Sequence, residues 1–134
     1  MLKMFGVAVS VVVNCIIGAV VYTPKLPTGK VWMRRTHPGK TAEQIGQDSA
    51  IPMGLSVVAT ATMSLLLRFI LIDFFKVKVA LDAVKFAVGL SCLVTLLEVP
   101  HTLFSKRSVD AFIVDQLHNI ATMTAAAACI FYFG

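Results

Sequence analysis

Residues 51–72 read IPMGLSVVATATMSLLLRFILI, with Arg68 as the single charge. As a helix rising 1.5 Å per residue this run reaches about 33 Å, enough for a hydrocarbon core of about 30 Å. A helix on the surface of a water-soluble domain needs a solvated face, and this run has none. It therefore predicts a membrane-crossing helix. Three further stretches share its character. Residues 4–22 carry Asn14 as their one strongly polar side chain, and residues 79–99 carry Asp82 and Lys85 at one end and Glu98 at the other. Residues 109–133 place their charges, Asp110 and Asp115, in the first two turns. Charges that gather at helix ends can reach the interface. The sequence thus predicts one all-α domain over 1–134, a four-transmembrane-helix bundle and a multi-pass integral membrane protein.

Composition agrees. The 134 residues are 57% apolar and 14% charged, with a mean hydropathy of +0.84, against about 45–50% and 25% in soluble domains. That excludes a solvated globular enzyme, a disordered tail and a disulfide-stapled miniprotein. The net charge of +5 does not point to nucleic acid, because the basic residues fall in the breaks between apolar runs rather than along one solvated face. Cys15, Cys92 and Cys129 each lie inside an apolar run, in a number and spacing that fit neither a disulfide framework nor a zinc site. The first apolar run exceeds a signal-peptide core and no Ala-x-Ala site follows, so it is read as a retained span.

The breaks carry their own signals. Thr23–Gly29, with Pro24 and Pro27, reads as a rigid exit from the first span. Lys30, Trp32, Arg34 and Arg35 then read as an interfacial anchor at headgroup depth, with an anionic lipid such as cardiolipin as companion. Thr41 and Gln44 have capping-box spacing, which predicts a short interfacial helix from Ala42 in this first long loop. Ser49 and Ser108 are placed to cap the second and fourth spans, Asp73–Lys78 is a tight connection, and Pro100 should end or kink the third span. Four spans put both termini on one side. The opposite side holds seven basic residues (Lys25, Lys30, Arg34, Arg35, Lys40, Lys106, Arg107) against five (Lys3, Arg68, Lys76, Lys78, Lys85), a bias toward cytoplasm or matrix for the long loop.

In lipid, helices are held by close packing and interhelical hydrogen bonds. Gly6, Ser10, Asn14 and Gly18, four residues apart, form a small and polar ridge expected to pack on another helix. Ser56, Thr60, Ser64 and Arg68 repeat the rhythm, and Ala125–Ala128 offer a third small surface. Such a ridge reads as a packing seam, with a polar permeation path as the alternative.

Two constellations could carry chemistry, Glu98-x-x-His101 and Asp115-x-x-His118. Carboxylate–histidine pairs at i, i+3 recur in di-iron bundles, but those sites draw a carboxylate from each of the other two helices as well. The first span has no acid and Asp73 lies at the wrong end of the second, so no metal is expected. The four residues are read as a polar cluster at the basic-side mouth of the bundle, near Arg107, with proton handling as the alternative. Gly39-Lys40-Thr41 lacks the earlier glycine and the strand of a phosphate loop. No nucleophile elbow organises the serines, and no catalytic residue or cofactor is expected.

Two stretches resemble a known family, domain-of-unknown-function family 1761. They are Gly18-Ala19-Val20-Val21-Tyr22-Thr23-Pro24 followed by Gly29-Lys30-Val31-Trp32-Met33-Arg34, and Pro100-His101-Thr102-Leu103-Phe104 followed by Arg107-Ser108 and Asp115-Gln116-Leu117-His118. Val21 stands where the family commonly has an aromatic, and Ser105-Lys106 where it has an acid–glycine pair. The resemblance implies a four-helix integral membrane protein and no particular activity. With no assembled active site, the chain is expected to be a non-catalytic accessory subunit. Its partners would be other membrane subunits, and the mitochondrial inner membrane is the favoured location. A small transporter or channel component is the alternative.

Overall fold

The computed structural model describes residues 4–134 and is helical throughout, with no strand among them. The chain forms α1 (Phe5–Val21), α2 (Pro27–Thr36), α3 (Ala42–Gln47), α4 (Ala50–Arg68), α5 (Ala80–Phe104) and α6 (Val109–Phe133), and α4 runs on as a π-helical segment over Phe69–Phe74. Lys3, counted above among the basic residues, lies outside the described residues.

Two helical stretches, Ala50–Phe74 and Ala80–Phe104, are long and apolar enough to cross a membrane. The expected four spans are therefore reduced to two on this criterion. At 17 residues, α1 is a shorter apolar helix. The length of α6 suffices, but Gln116, His118 and Asn119 dilute its apolar character.

Three local expectations need correction. The stretch read as a rigid exit is a turn only as far as Leu26; its last residues, Pro27–Gly29, open α2, with Pro27 in the first turn, where its missing amide hydrogen costs nothing. The first long loop accordingly holds two short helices rather than one. The second of these, α3, opens with the expected capping box: the Thr41 amide donates to Gln44 Oε1 at 2.9 Å and the Gln44 amide to Thr41 Oγ1 at 3.3 Å. Pro100 does not end α5, which continues to Phe104. Ser49 and Ser108 stand at the N-cap positions of α4 and α6, but neither side chain caps its helix. The Ser49 hydroxyl donates to the Ile45 carbonyl of α3 instead.

The π-helical segment closes i to i−5 hydrogen bonds, as from the Phe75 amide to the Ile70 carbonyl at 2.9 Å. Its width brings Arg68 and Asp73, five residues apart, to 2.9 Å. Positive φ values at Lys76 and Lys106 mark the turns that reverse the chain after it and after α5.

In the bundle, α6 is central. It packs chiefly against α1 and α5 and also meets α2 and α4, whereas α4 and α5 hardly touch each other. The close approaches use small residues, as lipid-style packing requires. A Cβ on Gly6 would come within 3.0 Å of the Cys129 carbonyl oxygen, so α1 and α6 are nearly in backbone contact there. Ala83, Ala87, Ala126 and Ala127 join Leu67, Leu71 and Ile130 in an apolar core at the end where α4 finishes and α5 begins. Ser10 and Ser64, both fully buried, share a hydrogen bond of 2.8 Å between α1 and α4.

That bond gives a first prediction. A double-mutant cycle with Ser10→Ala and Ser64→Ala, read as thermal stability in mild detergent, should show a coupling of about 0.6 kcal/mol. Strictly additive effects would mean that the two hydroxyls do not bond.

Candidate functional site

The ridge on α1 leads to the opposite, polar end of the bundle. Gly6, Ser10 and Asn14 are buried and Gly18 is half-buried, all on the face turned to α6 and α4. A Cβ on Gly18 would sit 3.4 Å from His118 Nε2. Tyr22, four residues further along, ends the same ridge. Its hydroxyl donates to Asp115 Oδ1 at 2.8 Å. Asp115 Oδ2 accepts from the guanidinium of Arg107, and the Asp115 side chain is 15% exposed. One carboxylate thus ties the end of α1 and the turn before α6 to the first half of α6.

Above this bond lies an aromatic stack. Tyr22 meets the His118 ring at 5.0 Å and the Trp32 ring at 4.8 Å, and Trp32 meets His37 edge-on at 5.3 Å. The stack places α2 across the end of the bundle. Gly29 is what lets α2 settle there: a Cβ at this position would lie 1.9 Å from the Thr23 carbonyl oxygen. Arg35, at the end of α2, pairs with Asp110 in the first turn of α6 at 2.8 Å. Asp110 also stands where the helix dipole favours a negative charge.

A second group forms between α5 and α6. Gln116 Nε2 donates to Glu98 Oε2 at 2.6 Å, and Gln116 Oε1 accepts from the Thr95 hydroxyl at 2.8 Å. Glu98, His101, Thr102, Ser105 and Arg107 line an open recess of about 400 Å³.

The four residues read as one cluster are therefore divided. Asp115 and His118 belong to the Tyr22 group, Glu98 and His101 to the recess, and Arg107 is where the halves meet. No group of three or more His, Cys, Asp or Glu among the described residues is placed to hold a metal ion. Of the anchor residues, Lys30 and Arg34 are exposed, Arg35 is engaged by Asp110, and Trp32 is half-buried in the stack. Trp32 Nε1 and both polar side-chain atoms of Asn14 are buried and have no hydrogen-bond partner among the described residues. The expected turn of Asn14 toward a neighbouring helix is present, while the hydrogen bond is not.

Sequence reasoning missed Thr95, and it quoted Tyr22 and Gln116 only within the family stretches, without a partner for either. The place of Tyr22 was in reach, because it extends the four-residue rhythm of Gly6, Ser10, Asn14 and Gly18. Thr95 and Glu98 sit at i, i+3 on α5 and so share a face. The pairing of Gln116 gave no signal of its own, since a neutral amide beside Asp115 looks like ordinary helix polarity.

Residues 5–131 match the family described as protein of unknown function, DUF1761, and the chain belongs to it. Neither curated proteins nor solved structures give a match.

Proposed function

We propose, for this member of DUF1761, a multi-pass integral membrane protein that acts as a non-catalytic accessory subunit, with α1, α4, α5 and α6 as its four passes. The observation that carries the reading is an inverted distribution of polarity. Large apolar side chains such as Leu55, Leu66, Leu96, Leu97, Phe104 and Leu117 are exposed, while Ser10, Asn14, Ser64, Ser91, Gln116 and Thr122 are buried. Water would favour the reverse arrangement, and hydrocarbon favours this one.

The same inversion supports α6 as a pass. Its polar residues Gln116 and Thr122 are buried in the bundle, and Ile113 and Leu117 are exposed on its outer side. Helix α1 reaches about 26 Å, which its tight contact with α6 and modest bilayer thinning can accommodate.

The subunit role is supported by faces left open. Residues 51–59 on α4 are all exposed. An apolar groove of about 490 Å³, bordered by Ala59, Met63, Leu66, Ile70, Leu90 and Met123, lies where α4 and α5 part. Small-residue and apolar surfaces of this kind suit a neighbouring transmembrane helix.

The test is a native gel of membranes solubilised in mild detergent, after alkaline extraction. The chain should stay in the membrane pellet and migrate within an assembly far larger than its 14.5 kDa. Migration as a free small species would overturn the subunit role, and release into the alkaline supernatant would overturn the membrane reading.

The transporter reading draws on the open recess beside Glu98. Against it, Ser64 of the polar stripe on α4 is locked onto Ser10 and Ser56 is exposed, so the stripe does not line one channel. Solute flux in proteoliposomes that is lost on Glu98→Gln would favour it.

A further inference from the structure

We infer that the recess between the end of α5 and the start of α6 binds a phospholipid headgroup that carries both a phosphate and a primary ammonium, as in phosphatidylethanolamine. The inference rests on the membrane reading above and adds a ligand to it.

The recess offers one group of each sign. Arg107 contributes the guanidinium, whose bond to Asp115 occupies one of its five N–H donors and leaves the others for a phosphate. Glu98 contributes a carboxylate. Gln116 engages its Oε2, and its Oε1 has no hydrogen bond among the described residues. The partner of Glu98 is a neutral amide, and the cation of the recess, Arg107, is paired with Asp115 instead. A primary ammonium supplies both the missing charge and donors for the open oxygen. The hydroxyls of Thr102 and Ser105 and the imidazole of His101 complete a polar lining.

Depth points to a lipid as the source. Arg107 binds Asp115, Asp115 binds Tyr22, and Tyr22 packs at a tilt against Trp32, so the recess is joined to an aromatic pair at the same end of the bundle. Tyr and Trp mark the headgroup layer of a bilayer. The surface below the recess is apolar. Leu93, Leu97, His101 and Phe104 follow one another at helical spacing along one face of α5. Leu93 and Leu97 are exposed on the side toward the middle of the bundle, where an acyl chain from a headgroup at His101 would run.

The lining also selects among headgroups. A quaternary ammonium has no N–H to give Glu98 and is recognised by cages of Trp, Tyr and Phe, none of which lines the recess. A headgroup with phosphate alone would face the Glu98 carboxylate with no cation to offset it.

The experiment uses the full chain in mixed micelles with equal amounts of ethanolamine, choline and glycerol phospholipids of the same acyl chains. Bound lipid is counted by native mass spectrometry. The ethanolamine lipid should be retained about tenfold over each of the others, the factor expected for one charge-assisted hydrogen bond.

Glu98→Gln keeps an oxygen for Gln116 and should abolish the preference. Ser105→Trp, at an exposed position, should fill the recess and lower retention of the ethanolamine lipid. Equal retention of the three lipids, or an unchanged preference in both variants, overturns the inference. Water-soluble glycerophosphoethanolamine should compete only in large excess, and competition at equal concentration would overturn a lipid as the source. Liposome flotation of the same preparation separates the two levels. Loss of flotation sinks the membrane reading, whereas flotation without headgroup preference sinks the lipid site alone.

Discussion

Asp115→Ala is expected to lower the stability of the bundle by about 2.5 kcal/mol, the sum of a hydrogen bond to a charged group and a partly exposed ion pair. The ion pair is the smaller share because Arg107 is partly solvated, its side chain being 43% exposed, while Asp115 is 15% exposed. The loss has two parts. The Tyr22 hydroxyl loses its acceptor at a half-buried site, and the Arg107 guanidinium loses its counter-charge. Asp115→Asn keeps an acceptor for Tyr22 and removes the charge, so it should cost less. Tyr22→Phe removes one hydrogen bond to a carboxylate and leaves the ion pair, which places it at about 1.5 kcal/mol. Melting in mild detergent should therefore rank the variants with Asp115→Ala lowest and Tyr22→Phe closest to the parent. If Tyr22→Phe is as damaging as Asp115→Ala, the ion pair with Arg107 adds nothing to the joint; if Tyr22→Phe costs nothing, the hydroxyl does not join α1 to α6, and the ring contacts of Tyr22 with Trp32 and His118, which phenylalanine keeps, carry the joint instead.

This joint shows what the sequence could and could not convey. The ridge of Gly6, Ser10, Asn14 and Gly18 was legible because close helix packing leaves a periodic mark, small residues at fixed spacing, whatever helix lies opposite. The identity of that opposite helix leaves no mark in α1 itself. Asp115 and Arg107 were likewise legible as polar residues near one mouth. Their separation from Glu98 depends on how α5 and α6 are rotated about their axes, and a rotation is set by contacts between chain segments far apart in sequence.

Pro27 reads in the sequence as part of an exit and Pro100 as an end or a kink, yet both stand inside helices, for different reasons. Proline removes a donor wherever it stands, and what that costs depends on whether an intrahelical acceptor was waiting for it. Within α5 the helix continues four residues past Pro100, held on one side by α6. At Pro27 the lost donor falls in a first turn, where no intrahelical acceptor is forgone. The π-helical segment after Arg68 was out of reach of pattern reading, since Phe69–Phe74 is almost as apolar as the helix it extends and carries no residue type that marks a wider turn.

Gly29→Ala should have the largest local effect of any single methyl group in the protein. The added Cβ would stand 1.9 Å from the Thr23 oxygen, 2.5 Å from the Thr23 carbonyl carbon and 2.8 Å from the Tyr22 carbonyl carbon. All three are backbone atoms of the turn that ends α1, so no side-chain rotation relieves the overlap. The first turn of α2 must lift, and Trp32, one and a half turns along, lifts with it. The expected cost is about 3 kcal/mol, the upper end for an overpacked site that cannot adjust by rotamer.

The protein has one tryptophan, so its emission reports on α2 directly. In Gly29→Ala, Trp32 should leave its contacts with Tyr22 and His37 and become more accessible to a water-soluble quencher such as iodide. Gly46→Ala is the matched control, because a Cβ there meets nothing within 4 Å and helix propensity favours alanine. It should leave quenching unchanged and stability equal or slightly higher. Parental quenching and melting in Gly29→Ala would show that α2 does not rest on the Tyr22–Thr23 turn. The aromatic stack would then lose the contact that holds it at the end of the bundle.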